Sequence, residues 1–189
     1  MSSILKVDQL QDSGGNSIIS SNGSGTFTSS LPNTGITMAD MWRLTSDLSF
    51  TGNTETAITA NLEQVNTTGF GRIGTGMTES SGIFTFPSTG IYQVTSCGQF
   101  YGGLDIPYVR LQIKTTTDNS TYNLTTAQNS HTHNGYYILN QNETFFDVTN
   151  TSTHKVKFEI RHNSDGSITG TSSSTYIATV FKFIRLGDT

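Results

Sequence analysis

The sequence predicts an all-β protein built from two antiparallel sheets, with an extended N-terminal arm. Two observations support this prediction. Ser, Thr, Asn and Gly occupy 88 of the 189 positions, and these residues favour strands, turns and caps over helix interiors. From Met38 onward, apolar and polar residues also alternate with a period of two, which is typical of strands with two different faces.

The alternation defines a series of candidate strands, and clusters of turn-forming residues separate them. Their spacing is near the roughly 8–12 residues that is typical of sandwiches and barrels. No tandem repeat is present, so a propeller or solenoid is not expected. The candidate strands are residues 41–50, 57–64, 69–73, 82–86, 91–101, 107–116, 121–127, 135–139, 143–148, 154–162 and 175–186.

Residues 1–37 differ from the rest of the chain. A short alternating stretch that includes Val7 and Leu10 passes into Gly-rich turns, and the segment holds too little apolar surface to fold alone. It is either a flexible arm or a docking segment that orders on a partner. Docking is favoured, because apolar residues recur where a Gly/Ser linker would have none. The predicted organisation is an attachment arm at 1–37 and a globular head at 38–189.

Two predicted strands have one charged face and one apolar face. Segment 154–162 alternates Val156, Phe158 and Ile160 with charged residues, and segment 107–116 follows the same pattern. Such strands are expected to have one face in the core and one face in water.

The last predicted strand, 175–186, is apolar on both faces. A single two-sheet sandwich covers one face of a strand, so a second subunit is the natural cover for the other. The sequence therefore predicts an obligate oligomer. The residues expected at its interface are Tyr176, Ala178, Val180, Phe181 and Phe183.

Composition excludes several classes of partner. Ten Lys and Arg residues and a net charge of −4 argue against nucleic acid, because phosphate binding needs clustered basic residues. No apolar run approaches the roughly 18 residues of a membrane span, and the N-terminal residues lack the apolar core of a signal peptide. The single cysteine, Cys97, excludes an internal disulfide.

No catalytic, metal or cofactor site is predicted. His131 and His133 would lie on one side of a strand, as a chelating pair can, but their surroundings favour a loop and no third ligand is nearby. No serine lies in a Gly-x-Ser-x-Gly elbow, and the acidic residues are scattered. The chain is therefore not expected to be an enzyme.

Residues 82–94, GIFTFPSTGIYQV, resemble the C1q-like jelly roll, whose members carry a Phe-Thr-x-Pro-x-x-Gly-x-Tyr segment between two strands. Residues 181–186, FKFIRL, are similar to the closing strand of that family. The resemblance covers roughly residues 38–187. It implies a ten-strand jelly roll of the TNF/C1q type, assembled as a compact homotrimer with aromatic residues along its threefold axis. The collagen stem that precedes the domain in that family is missing.

Three other segments are similar to proteins of tailed bacteriophages. Residues 3–19 look like the start of phage structural proteins, and residues 70–77 and 183–189 resemble fibre-type domains. The combination implies a virion protein. It would be a short trimeric fibre or spike that is anchored to other virion proteins by residues 1–37 and contacts the host with its head. The alternative is a capsid decoration or head-fibre protein with a purely structural role; a bacterial adhesin or lectin-like module is a third, less favoured reading.

Any host ligand is expected at the apex of the head. In a C1q-like trimer the chain ends of the head lie together at its base, so the loop before the closing strand, 163–174, would lie at the opposite end. This loop is polar and suits recognition of a host surface glycan or protein, although a ligand-free cap would have the same composition. The residues expected to bind are Asn163, Asp165 and Thr169.

Overall fold

The computed structural model describes residues 7–29, 35–65, 67–173 and 175–189, and all regular structure within these ranges is β-strand. The chain divides into two compact units, Met1–Gly35 and Ile36–Thr189. The predicted all-β architecture of antiparallel sheets is confirmed.

The first unit contains a three-stranded antiparallel meander. Asp12 Oδ1 accepts the backbone N–H groups of Gly14 and Asn16 at 2.8 and 2.9 Å, which closes the first turn, and the second turn is closed in the same way by Asn22. Among residues 7–26 no side chain is buried. The strands, in spatial order, are β1 (Gln9–Gln11), β2 (Ser17–Ser21) and β3 (Phe27–Ser29).

The second unit is a sandwich of two seven-stranded sheets. Sheet I contains β4 (Met38–Leu44), β5 (Leu48–Phe50), β7 (Leu62–Gln64), β10 (Gly90–Tyr101), β14 (Tyr137–Val148), β16 (Gly166–Ile168) and β17 (Val180–Gly187). Sheet II contains β6 (Glu55–Ala57), β8 (Thr78–Ser80), β9 (Ile83–Thr85), β11 (Ile106–Thr116), β12 (Asn123–Ala127), β13 (Ser130–Thr132) and β15 (Lys155–His162).

Strand β10 organises sheet I. Along one edge it pairs with β14 over its whole length, from Gly90 opposite Val148 to Tyr101 opposite Tyr137. Its other edge pairs first with β17 and then, at Phe100 and Tyr101, with β16. Strand β4 pairs with the far edge of β17 and β7 pairs with β4. In sheet II the long partners are β11 and β15.

The core lies between the sheets and is rich in phenylalanine. Phe158 of sheet II packs against Phe181 of sheet I with ring centroids 4.3 Å apart, and Phe84 packs against Phe183 at 5.1 Å. The turn before β9 needs a glycine: Gly82 has a φ of +82°, and a Cβ there would lie 2.2 Å from the carbonyl oxygen of Ile58.

The structure corrects several predicted strand limits. The predicted strand 41–50 is two strands, β4 and β5, which lie at different positions in sheet I. The predicted closing strand starts at Val180 rather than at residue 175, and the predicted loop 163–174 contains β16. Segment 69–73 contributes a single bridge, between Ile73 and Ala39, instead of a strand.

The predicted strands 135–139 and 143–148 form one strand, β14. The two predicted strands stop on either side of residues 140–142, but the side chains of Asn140 and Asn142 are buried and bind the backbone of β11. Asn140 Oδ1 accepts the N–H of Leu111 at 3.0 Å, and Asn142 Nδ2 donates to the Leu111 carbonyl at 2.7 Å. The two amides supply partners for the backbone of Leu111, while the backbone of β14 stays paired with β10 through both positions.

Candidate self-association face and apical loops

Face I is the outer side of β4, β10, β14 and β17 in sheet I, opposite the side that packs the core. It exposes large apolar side chains: Phe145 is 66% exposed, Tyr137 60%, Leu139 59% and Leu186 48%. Exposed apolar residues concentrated in one region are typical of interaction surfaces.

The strand register arranges face I in rows. Phe145, Gln93 and Ile184 lie side by side on β14, β10 and β17, and the next row places Glu143 beside Thr95. Glu143 Oε2 accepts hydrogen bonds from Gln93 Nε2 at 2.7 Å and from Thr95 Oγ1 at 3.3 Å. Lys182 of β17 lies on the other side of Thr95, so a polar row crosses face I between its exposed apolar residues, and the Glu143 carboxylate in this row is hydrogen-bonded within the chain.

The five residues predicted at the oligomer interface lie in two different environments. Phe181 and Phe183 are 0% exposed and belong to the core of the single chain. Val180 faces the other way, on face I, and is half-buried. Tyr176 is exposed and Ala178 is half-buried, and both precede β17. The accessible members of the predicted set are thus Tyr176, Ala178 and Val180.

Face II is the outer side of β11 and β15 in sheet II, and it carries charged side chains. Lys114 Nζ forms ion pairs with Glu55 and Glu159, and Lys157 Nζ lies 2.7 Å from the second Glu159 oxygen. Lys157 also lies over the ring of Tyr122, 4.5 Å from its centroid. Val156, Phe158 and Ile160 lie in the core as predicted, but the opposite side of β15 is not a wet face: Lys157 and Arg161 are half-buried, and Lys155 and Glu159 are buried.

The ion pairs on face II shift two pKa values. Burial by itself raises the pKa of Glu159, but hydrogen bonds and charge from Lys114 and Lys157 outweigh it and hold the pKa below its ordinary value. Burial acts against the charged form of Lys114 as well, and its two carboxylate partners raise its pKa nevertheless.

The apical loops are residues 102–105, 133–136 and 163–170, and they lie at the end of the sandwich where β10 ends and β14 begins. Two reciprocal backbone hydrogen bonds join the first two loops: Gly102 N donates to the Tyr136 carbonyl at 3.2 Å, and Gly135 N donates to the Gly102 carbonyl at 2.7 Å. Strand β16 reaches the same end, because Ser167 pairs with Tyr101.

The three predicted receptor-binding residues lie in the third apical loop, where each makes a hydrogen bond that fastens it. Asn163 Oδ1 accepts the N–H of Tyr108 at 3.1 Å, and Asp165 Oδ1 accepts the N–H of Gly52 at 2.7 Å. Thr169 uses its backbone: its N–H donates to Gln99 and its carbonyl accepts from the Thr179 hydroxyl, both at 2.7 Å. Asp165 is exposed, and the other two are half-buried.

The apical loops also expose aromatic residues. Tyr136 is 68% exposed, and the rings of Tyr101 and Tyr137 lie 4.9 Å apart on neighbouring strands. Leu104, in the first loop, is 56% exposed. Tyrosines of this kind present an apolar ring and a hydroxyl together, which suits recognition of polar ligands.

A polar cluster that sequence reasoning did not find joins the first two apical loops. Asp105 Oδ1 accepts the N–H of Asn134 at 2.9 Å and lies 3.3 Å from His133 Nδ1. The Nε2 atoms of His133 and His131 are 3.2 Å apart. Hydrogen bonds from Asn134 and His133, with the nearby imidazoles, lower the pKa of Asp105 against a smaller effect of burial. Asp105 lies far from the histidines in sequence, so no local motif marks this cluster.

A cleft of about 290 Å³ beside β7 is lined by Gln64, Val65, Phe70 and Arg72. Its polar groups are engaged with one another: Gln64 accepts from Arg72 at 2.9 Å and donates to the buried carboxylate of Asp40 at 2.9 Å. Asp40 also accepts from Met77 N and Trp42 Nε1. This network links the middle of β4, the end of β7 and the residue before β8, which is a structural role.

Within the described ranges, no three His, Cys, Asp or Glu side chains are arranged around a common point as metal ligands. In the same part of the chain, no helix is long and apolar enough to cross a membrane.

Comparison with known proteins gives structural matches and no sequence matches. No protein-family model and no curated protein matches the sequence. The TNF protein Eiger from S. frugiperda has a TM-score of 0.61 at 10% identity, covering 82% of this chain and 96% of that one. Murine APRIL has a TM-score of 0.57 at 15% identity, with coverages of 79% and 98%. The vertex protein P5 of PRD1 has a TM-score of 0.53 at 17% identity, with coverages of 81% and 99%.

These matches establish the fold. The predicted two-sheet jelly roll of the TNF type is confirmed, because each match spans about four fifths of this chain and nearly all of the other. Identities of 10–17% extend the likeness no further than the fold.

Proposed function

We propose that this chain is a structural component of a virion and that it works as a homotrimer associated through face I. The observation that supports the proposal is the exposure of Phe145, Tyr137 and Leu139 on one side of a sheet whose other side already packs the core. Each square ångström of apolar surface removed from water is worth about 25 cal/mol, so face I favours association.

A second copy of the chain is the natural partner for face I. The face exposes Phe145, Leu139 and Tyr137, its central Glu143 carboxylate is hydrogen-bonded within the chain, and chains that repeat one contact around an axis form a ring when the rotation closes. The resemblance to the C1q/TNF families implies a ring of three. The likeness to a PRD1 vertex protein supports a place in a virion.

The N-terminal arm is the proposed anchor to the particle. Its described side chains form no buried core, which favours a segment that docks on a partner. Deleting residues 1–37 should leave a folded head that no longer joins virions, so mass spectrometry of purified particles should detect the full chain and not the truncated one. A truncated head that still assembles onto particles would contradict the assignment.

The apical loops are the proposed contact with the host surface, which would take a glycan or a protein. Exchanging Asn163, Asp165 and Thr169 for Ala, together with Tyr136→Ala, should reduce adsorption of assembled particles to host cells. The matched control is Leu124→Ala on β12, which should adsorb normally, because Leu124 is 48% exposed and pairs with Lys114, toward the other end of β11 from the third apical loop. Thermal melting of each purified variant separates loss of binding from loss of folding, which matters because the side chains of Asn163 and Asp165 each accept a backbone N–H that fastens the loop.

A capsid decoration with no receptor is the second candidate, and the likeness to a vertex protein favours it. The two functions share the trimer and differ in the adsorption result. Normal adsorption by assembled particles that carry the apical substitutions would reject the host contact and leave the decoration role.

A further inference from the structure

The imidazoles of His131 and His133 are held in a geometry that suits a metal ion. The two side chains leave the same side of β13 and the residue after it, because the intervening Thr132 is buried and 4% exposed. Their rings are perpendicular, with centroids 4.9 Å apart, and the two Nε2 atoms are separated by 3.2 Å.

We propose that His131 and His133 form a two-nitrogen chelate for a late first-row divalent metal ion such as Ni²⁺, Cu²⁺ or Zn²⁺. This site is independent of the proposed function of the chain. Water completes the coordination shell, since the described residues offer no third protein ligand at this point.

The separation of the nitrogens fits such an ion. With metal–nitrogen bonds of about 2.0–2.1 Å, two nitrogens 3.2 Å apart subtend an angle of about 100° at the metal. This angle lies between the values of about 90° for neighbouring octahedral ligands and about 109° for tetrahedral ligands. The separation of the two nitrogens therefore matches that of two ligands bound to one ion.

Asp105 orients one of the two ligands. Its carboxylate lies 3.3 Å from His133 Nδ1, on the side of the ring away from His131. An imidazole that donates its Nδ1 proton to a carboxylate keeps the Nε2 lone pair for a metal, and metal-binding histidines usually have such a partner. Asp105 is thus a positioning residue, and it is itself held by the N–H of Asn134.

The backbone around the pair is fixed without a metal. Gly102 and Gly135 join the loop of Asp105 to the turn after His133 through the two reciprocal hydrogen bonds of the apical loops. The buried hydroxyl of Thr132 donates to the Tyr136 carbonyl at 3.0 Å, which fixes the same turn from the inner side. A fixed backbone lowers the entropic cost of bringing the two ligands together.

The donor set selects the class of ion. Imidazole nitrogen suits Zn²⁺, Cu²⁺ and Ni²⁺, whereas Mg²⁺ and Ca²⁺ prefer oxygen ligands. The competing account is a direct hydrogen bond in which His131 Nε2–H donates to His133 Nε2. In that account the pair closes the turn and has no use for an ion.

Calorimetric titration of the untagged full-length chain with Ni²⁺ tests the proposal. We expect saturable binding of one ion per chain and no binding of Mg²⁺. Electron paramagnetic resonance of the Cu²⁺ complex should show two equivalent imidazole nitrogens. Exchanging either histidine, by His131→Gln or His133→Gln, should weaken Ni²⁺ binding at least about tenfold and leave one nitrogen in the Cu²⁺ spectrum.

Two Asp→Asn variants separate orientation from general surface charge. Asp105→Asn should weaken Ni²⁺ binding about 10–100-fold, because the carboxylate partner of His133 is lost. The matched control is Asp118→Asn, since Asp118 is also exposed and accepts backbone N–H groups in a turn but has no histidine beside it. Thermal melting without metal checks that each variant is folded.

Three results would overturn the proposal. The first is that the original chain binds Ni²⁺ as weakly as a double variant in which both histidines are exchanged. The second is binding that survives in the double variant, which would place the ion elsewhere. The third is a stoichiometry of one ion per several chains, which would contradict a chelate formed within one chain.

Discussion

The two outer faces of the sandwich have opposite chemistry. On face II, charged groups of the same chain neutralise one another: Glu159 contacts Lys114 and Lys157, and the three form a connected network. On face I, the side chains of Phe145 and Leu139 are mostly exposed to water. The charged network of face II is paired within the chain, whereas face I leaves apolar side chains in contact with water.

The two sheets of one sandwich can therefore carry a charged outer face and an outer face with exposed apolar side chains. Both faces come from strands with a period of two, so the alternation is the same in each sheet. The outward positions differ: β15 carries lysine, glutamate and arginine, whereas β14 carries three exposed apolar residues, Tyr137, Leu139 and Phe145, in addition to Gln141, Glu143 and Asp147. The choice of outward residues, and not the backbone, therefore decides which face is left for a partner.

The largest expected effect comes from exchanging a side chain on the inner side of sheet I. Phe181→Asp should prevent folding, because Phe181 is 0% exposed and a buried unpaired charge costs several kcal/mol. Circular dichroism and solubility measure the result. A soluble folded protein with this change would show that Phe181 is not in the core.

The second effect comes from the opposite side of the same sheet. Phe145→Asp should give a folded monomer, because Phe145 is 66% exposed in the single chain and becomes buried when face I is covered. Light scattering gives the mass, and circular dichroism gives the fold. Its matched control is Tyr108→Asp on face II, which should leave the assembly intact. Equal loss of assembly in both variants would remove the distinction between the two faces.

The smallest expected effect concerns the charges on face II. Glu159→Gln should lower the melting temperature by a few degrees at pH 7, since it removes the partner of two lysines. The lowered pKa of Glu159 means that its contribution is complete above the ordinary value of 4.5 and is lost as the pH falls through the lowered value.

The difference in melting temperature between the original chain and Glu159→Gln should therefore shrink as the pH falls below about 4.5. Thermal melting of both proteins at pH values from 7 to 3 measures this difference. A difference that is constant over this range would contradict the assigned ion pairs.

Regular alternation made the long strands predictable, and the sequence indicated β10, β11 and β15 nearly to the residue. Prediction from alternation failed where polar side chains lie in the interior of the sandwich. The predicted strands leave out Asn140 and Asn142, yet the buried amides of these residues bind the backbone at Leu111, a contact that depends on a strand about thirty residues away.

The same limit applies to the candidate sites. Alternation in the last strand separated Phe181 from Val180, but it does not say which face points into the core, so both entered the predicted interface. The contact of Asp105 with His133 depends on two loops that meet only in the folded chain. The sequence could place the histidines as a pair, whereas the carboxylate behind them needed the fold.

The association of face I with further copies of the chain is most directly tested by the solution mass of the full-length protein at micromolar concentration. Light scattering coupled to size exclusion should give three times the 20.5 kDa mass of the chain, and this mass should persist on dilution. A stable species of 20.5 kDa with native circular dichroism would contradict the account, because face I would then remain exposed in solution.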